Sequence, residues 1–499
     1  MRHAFSLLAF SLLPTALAAQ TPAAVQRAVE SITPEDVRRR IAIIADDSMQ
    51  GRDTPSPGLE KTAAYIAGEF RRLGLKPAGD NGSFIQRYAL DRVQFVAESS
   101  AAFVHGRGDV TLAYGKDFAF ADNMFESGDY AGALVVVSGP LSGPVPDTAA
   151  LAGKMLVLAG GPRNRAERQR VLGWRPAGVV VPSGVPDSVW TQLVARSARP
   201  QLRDPSRRVG PPVVLAVRTA TVQSLLARFG VDLGAQQAAE TFAVQPLADA
   251  QLHVHGRIRV IERNSAPNVV GILEGSDPRL RDEYVVYSAH MDHVGVGRAL
   301  NGDSIYNGAD DDASGTIAVV ETAEAFSMLR PRPKRSIVFL TVSGEEKGLW
   351  GSAYFADHAP MPAANIVANL NIDMIGRNWK DTIVVIGKEH SDLGATLNRV
   401  AAAHPELNMQ PIDDIWPQEN FYFRSDHYNF ARKGVPILFF FSGTHADYHR
   451  PGDSVDKIDA EKESRIVKLV FYLGLEVANA PARPTWNPDS YKRIVTGQD

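Results

Sequence analysis

Two rhythms of apolar residues divide the chain. From about residue 252 onward, short unbroken apolar runs alternate with longer stretches of helical spacing. "EYVVYSAH", "RSIVFLTVSG", "ANIVANLNID" and "VPILFFFSG" read as strands, and "SGTIAVVETAEAFSML", "GLWGSAYFADHA", "LGATLNRVAAAHP" and "AEKESRIVKLVFYLGLEVANA" as helices. A strand that is apolar at nearly every position is buried on both faces, the mark of a parallel sheet covered by helices. The fold class expected is α/β, with a mostly parallel central sheet flanked by helices. Residues 34–76 add two helices. The first opens on Thr33-Pro34-Glu35-Asp36, with proline in its first turn; the second, "LEKTAAYIAGEFRRLGL", closes at Gly74.

The second rhythm occupies about 110–245. Short apolar runs such as "ALVVVSG", "KMLVLAGG", "AGVVVPSG" and "PPVVLAV" are separated by Gly and Pro turns, and "TATVQSLLARFG" reads as a helix after the last of them. Candidate catalytic groups are scarce here. The stretch reads as a small β-rich domain inserted into the larger one. The expected organisation is a leader at 1–18, the first part of the main domain at 19–109, the insert at 110–245, the rest of the main domain at 246–480, and a Pro-containing, poorly ordered tail at 481–499.

Composition narrows the setting. Lys plus Arg total 53 and Asp plus Glu total 56, a net charge of −3. That balance argues against a nucleic-acid partner. "MRHAFSLLAFSLLPTALAAQ" has a basic start, an apolar middle and Ala16-Leu17-Ala18 at its end, the pattern of a secretory signal peptide. No later run is apolar and long enough to span a bilayer. With no cysteine, the chain forms no disulfide and takes no lipid through an N-terminal Cys. The expectation is an exported protein, periplasmic or secreted, without a membrane span.

The candidate chemistry sits where the strands end. In an open α/β sheet, ligands bind beyond the carboxyl ends of the strands. His290 and Asp292 follow the first strand, Glu345 and Glu346 the second, Asp373 the third, and His445 and His449 the fourth. Between the first two strands stands "YNGADDDASG", with Asp310, Asp311 and Asp312 side by side. Each alone has an ordinary explanation: an aspartate capping a helix, a solvated glutamate pair, a surface histidine. Together they crowd unpaired acids at one sheet edge, which is costly unless a cation neutralises them. Imidazole plus carboxylate without thiolate suits zinc or a similar divalent metal. One aspartate of the triplet can bridge two ions while its neighbours bond to backbone amides.

"SAHMDH", "NGADDDASG", "SGEEKGLWGS", "NIDMIG" and "DYHRPGDS", in that order, resemble the signatures of the M28 family of zinc aminopeptidases, and "FRSDHYNFARKGVPILFFFSG" is similar to a further segment of it. The resemblance covers about 252–475 and, more loosely, 34–95. The middle segment is similar to the protease-associated (PA) domain inserted in many members. The resemblance implies two Zn²⁺ or other divalent ions. His290 and Asp373 would hold one, Glu346 and His449 the other, and Asp311 would bridge them. Asp292 would accept the second ring N–H of His290. Glu345 would be the general base and Tyr448 a group stabilising the oxyanion. The substrate would be a peptide with a free N-terminus, losing its first residue.

Other patterns carry less. "HADYH" places His445 and His449 four apart but lacks the glutamate of a zincin, and Pro451 follows at once. "SDH" at 425–427 has no nucleophile elbow with it, so Asp426 is read as support for the site. Two alternatives stay open: a glutaminyl cyclase on the same scaffold, and a non-catalytic binding or receptor protein using its PA-like insert.

Overall fold

The computed structural model describes residues 20–121, 125–142, 149–207 and 212–497; the leader at 1–18 lies outside them. The chain divides into two compact units. The first comprises Met1–Tyr88 and Ser265–Asp499, the second Ala89–Asn264. The insert is therefore wider than 110–245 at both ends. The sequence cue is a change of rhythm between elements, but the unit boundaries fall inside two long strands, Ile85–Phe95 and Ile258–Leu273.

In the first unit the strands Ser336–Val342, Tyr284–His290, Ile366–Ile372 and Ile437–Phe441 lie side by side in that order, all parallel. These are the four strands expected from sequence. All four are buried along their length, as two-sided cover requires. The outer pairings depart from the all-parallel tendency. Ile258–Leu273 runs antiparallel to Ser336–Val342, and Thr382–Ile386 antiparallel to Ile437–Phe441.

Alternate residues serve opposite faces. On one side Tyr287 stacks on Phe339, 5.8 Å between ring centres, beside Phe326 and Phe471 of the helices Gly315–Met328 and Ala460–Asn479. On the other, Val286, Val338, Leu340 and Phe439 pack with Phe355 of Trp350–Asp357 and Phe430 of His427–Ala431. Gly474 has no room for a side chain, since an added Cβ would lie 1.6 Å from the Tyr287 hydroxyl. The helices Pro34–Ile44 and Pro57–Arg72 begin where expected, with Thr33 accepting the amide of Asp36 and Ser56 that of Leu59. No helix among the described residues is long and apolar enough to cross a membrane.

The second unit holds an eight-stranded sheet in which Gly128–Ser138, Met155–Leu158, Gly178–Ser183 and Val213–Arg218 are parallel neighbours. These hold the apolar centres of the four short runs read from sequence. Phe95, Phe120 and Phe125 form its aromatic core, with Phe120 and Phe125 stacked at 4.5 Å.

The tail departs from expectation. Pro488–Tyr491 is helical, and the Trp486 indole N–H donates to the Gly434 carbonyl (2.8 Å). Its prolines suggested disorder, but buried Ile494 and this indole anchor it to the first unit.

Candidate metal centre

Because the four central strands are parallel, their carboxyl ends meet at one edge. His290 is the last residue of its strand, Asp373 follows Ile372, and Glu345 and Glu346 follow Val342 after a turn at Gly344. His449 stands after the fourth strand with φ 54°, a left-handed conformation uncommon for a non-glycine residue. Asp311 comes from the irregular turn Ala309–Ser314 that opens the helix Gly315–Met328.

The side chains form two groups that share Asp311. His290, Asp311 and Asp373 make one; His293, Asp311, Glu346 and His449 make the other, with donor atoms in each within 4.8 Å of one another. The Asp311 carboxylate is split between them. Its Oδ1 lies 3.3 Å from His290 Nε2, and its Oδ2 lies 3.1 Å from His449 Nε2. His290 Nε2 is 3.5 Å from Asp373 Oδ1, and His449 Nε2 is 3.1 Å from Glu346 Oε2. Yet Asp311 Oδ2, Asp373 Oδ1, Glu346 Oε1 and His449 Nε2 are buried without a hydrogen-bond partner among the described residues. Donors and acceptors this close that do not bond are aimed at a common point. Oxygen and imidazole nitrogen, with no thiolate, are what a divalent zinc-like ion takes, so the residues fit two such ions.

The other two aspartates of the triplet act on the backbone. Asp312 accepts the amides of His290 (3.1 Å), Gly315 (2.8 Å) and Met374 (3.1 Å), tying two strand ends to the helix start. Asp310 accepts the amide of Gly376 (2.6 Å) and faces His445 Nε2 at 3.3 Å. Asp453 accepts the amides of Asp310 (3.0 Å) and Asp311 (3.0 Å) from the opposite side. Like charges in a row are thus dispersed, each carboxylate pointing to a different set of donors.

Charge follows this geometry. Burial opposes ionisation of Asp311, but His293, His290 and His449 hold it well below the usual carboxylate range. Burial, helped by Asp373, pushes Asp312 up. Burial lowers His449, but the facing Asp311 and Glu346 carboxylates outweigh it and bring the imidazole up to about 10. Glu345 is raised well above the ordinary glutamate value, mainly by burial and also by Asp426, Glu346 and Asp373. It lines a small cavity with His290, Asp311, Asp373 and Tyr448, floored by Phe421, Phe439 and Phe441. Tyr448 stacks on His449 with ring centres 4.0 Å apart.

One supporting role differs from the sequence reading. His290 Nδ1–H donates to the backbone carbonyl of Asp292 (3.2 Å), while the Asp292 carboxylate stands 3.7 Å away. That carboxylate instead accepts the Thr54 hydroxyl (2.9 Å) and the Glu345 amide (3.4 Å). The strand ends at His290, so the alternation that would set residues 290 and 292 on one face ends there too. Beside Asp426, which raises Glu345, the Ser425 hydroxyl donates to Asp373 Oδ2 (2.9 Å). Ser425 closes a buried polar chain. Asn369 donates to Ser288 (2.8 Å), Ser288 to Asn371 (2.6 Å), and Asn371 to Ser425 (3.1 Å). Asp426 is fully buried, and burial raises its carboxyl to about 7.

Sequence reasoning missed His293, Ser425, Asp453 and Arg52. His293 stood inside "SAHMDH", three after His290, but period-two counting passed over it. Arg52 had no local signal. Its guanidinium is buried and donates to the carbonyls of Ile44 (2.8 Å), Met291 (2.9 Å), Asn307 (2.5 Å) and Gly308 (2.8 Å).

Fold and site together define an α/β protein with paired metal-ligand groups at the carboxyl edge of a parallel-centred sheet. Residues 268–474 match the model of peptidase family M28, which bears out the resemblance carried by the motifs. A probable zinc metalloprotease of Pyrenophora tritici-repentis is 28% identical over 258 residues, covering 44% of this chain and 52% of that protein. A probable leucine aminopeptidase of Arthroderma otae is 26% identical over 222 residues, covering 43% and 58%. The match thus spans little more than half the length of these relatives. The aminopeptidase from Aneurinibacillus sp. strain AM-1 aligns over 93% of this chain and 98% of its own, with a TM-score of 0.51 and 18% identity, a likeness of fold alone.

Proposed function

We propose that the protein is an exported aminopeptidase that holds two zinc ions and removes N-terminal residues from peptides, with Glu345 as general base. The observation that carries this reading is the divided carboxylate of Asp311, one oxygen toward each ligand group. His290, Asp311 and Asp373 would hold one ion, and Asp311, Glu346 and His449 the other. Bound zinc supplies a Lewis acid and water made acidic enough to ionise near neutral pH.

The chain's own residues account for the rest. Glu345 shares the cavity with His290, Asp373 and the shared ligand Asp311, and its raised affinity for protons suits a group that takes one and returns it. It would take the proton of the attacking water and deliver it to the leaving amine. Tyr448 lines the same cavity, and its phenol is kept protonated by burial and by Asp311 and Glu346, so it can donate to oxygen that gains charge. Phe421, Phe439 and Phe441 give this small cavity an apolar wall beside Glu345, against which an apolar side chain of the substrate would pack. Carboxylates around the ions draw the substrate's free ammonium. The signal-peptide pattern of residues 1–18 supports export, and the insert is read as PA-like.

The test is a panel of aminoacyl and N-terminal glutaminyl peptides offered to zinc-loaded protein, wild type against Glu345→Gln. Release of leucine by the wild type and its loss in the variant are expected. Cyclisation without hydrolysis would point to the glutaminyl cyclase instead. Absence of both, with metal bound, would point to a binding protein.

A further inference from the structure

We infer that His293 is a fourth protein ligand of the ion held by Asp311, Glu346 and His449, so that the two metal positions are unequal. This rests on the metal-enzyme reading above. The His293 side chain is wholly buried, and both of its ring nitrogens lack a hydrogen-bond partner among the described residues. An imidazole shut away from water without a partner is costly, so the ring needs one. Its Nδ1 lies 2.8 Å from Glu346 Oε1 and 3.7 Å from Asp311 Oδ2. Glu346 Oε1 is itself unpartnered. Two polar atoms at bonding distance that are misaligned for a bond to each other face a third point. His449 offers its nitrogen to the same point, with its ring edge-on to His293 at 5.5 Å and 76°.

The backbone makes room for this ring. Gly308, at φ 60°, is the residue against which His293 lies, and an added Cβ there would come within 2.6 Å of His293 Cδ2 and Cγ. His293 also reaches back through its amide, which donates to the Arg52 carbonyl (3.2 Å). Arg52 in turn holds Gly308 by its carbonyl. Ring, glycine and arginine thus fix the imidazole toward Glu346.

The consequence is asymmetry. The His290 group has one imidazole and two carboxylates; the His293 group has two of each. The nitrogen-richer position suits zinc better, and the other exchanges more readily. The rival role is a positioning one, with His293 only donating a hydrogen bond that orients Glu346.

Metal-free protein is titrated with zinc against a competing chelator, comparing wild type with His293→Ala and His293→Asn. Wild type should take two ions with separated affinities. His293→Ala should lose more than about 100-fold at the tighter position, beyond what loss of a merely orienting group costs, and keep the weaker one. His293→Asn retains an N–H donor but offers a poor zinc ligand, so it should behave like alanine. Wild-type affinity in His293→Asn would establish the positioning role and overturn the inference. Circular dichroism of the metal-free variants separates a folding defect from a ligand defect. A zinc-loaded crystal structure of the wild type decides without any variant. His293 Nδ1 within about 2.1 Å of the ion is expected, and a separation beyond about 3 Å overturns it. Two ions bound equally well by all three proteins would end this inference alone, and a wild type that takes no zinc would end the reading beneath it as well.

Discussion

At the scale of single residues, the site is a contest between protons and metal. In the metal-free chain His449 titrates up to about 10, because the pull of Asp311 and Glu346 exceeds the opposing effect of burial. Proton and metal compete for the same nitrogen. Zinc affinity should therefore rise with pH toward that value, with protons released on zinc addition near neutrality. The same shift, upward from 6.5, stabilises the metal-free fold below 6.5, and that stabilisation is lost as pH rises through about 10. Affinity measured across pH 6 to 9 in weak buffer checks this; a flat profile without proton release would contradict it. His427 shows the opposite sign. Burial alone brings it down to about 3, although its Nε2–H donates to the Tyr422 carbonyl (2.8 Å). Between about 6.5 and 3 the unfolded chain takes up a proton that the folded one refuses, so stability falls with falling pH. His427→Gln should flatten that dependence by up to about 1.4 kcal/mol per pH unit, read from urea unfolding at several pH values. Glu345→Gln keeps the shape of its side chain and loses only the proton carrier. It should retain zinc and lose about 10²- to 10⁴-fold in turnover; near-wild-type turnover would remove Glu345 from its role.

At the scale of elements, the placing of charge decides its worth. Arg52 joins Ile44 at the end of its helix, Met291 beyond the first central strand, and the loop at Asn307 and Gly308. Arg52→Met would leave these buried carbonyls without their donor, at a cost of about 3 kcal/mol or more. Arg39, by contrast, pairs with Asp36 at 2.7 Å on an exposed helix face, with 55% and 41% of the two side chains open to water. Arg39→Ala should cost under about 0.5 kcal/mol. Thermal unfolding of the two variants side by side checks the contrast, and equal losses would refute it. The four central strands were legible because apolar residues dominate each, and their ends were legible as sites because charged residues and imidazoles gather there. Arg52 was not, because its partners are carbonyls, which every residue carries. Ser425 was hidden by its neighbours: in "SDH" the acid and imidazole draw attention, while the hydroxyl makes the contact to Asp373.

At the scale of the whole molecule, the two units divide the labour. Every residue of the metal cluster, and every group that holds it, belongs to Met1–Tyr88 and Ser265–Asp499. Replacing 89–264 by a short Gly-Ser linker should leave a folded chain that binds zinc as the full chain does, since each unit has its own core. Failure of the shortened chain to fold or load zinc would show that the units depend on one another. Turnover of the same chain would report what the insert adds to substrate choice. The sequence by itself determined the central strands and helices, their order, and which chemical groups stand at the strand ends, because apolar periodicity and residue type are local properties. Only the tertiary structure decided that the Asp292 carboxylate would turn to Thr54, that Ser425 would hold Asp373, and that His293 would stand beside Glu346. Those choices depend on where side chains point after a strand has ended, and that direction is fixed by contacts with residues distant in the chain.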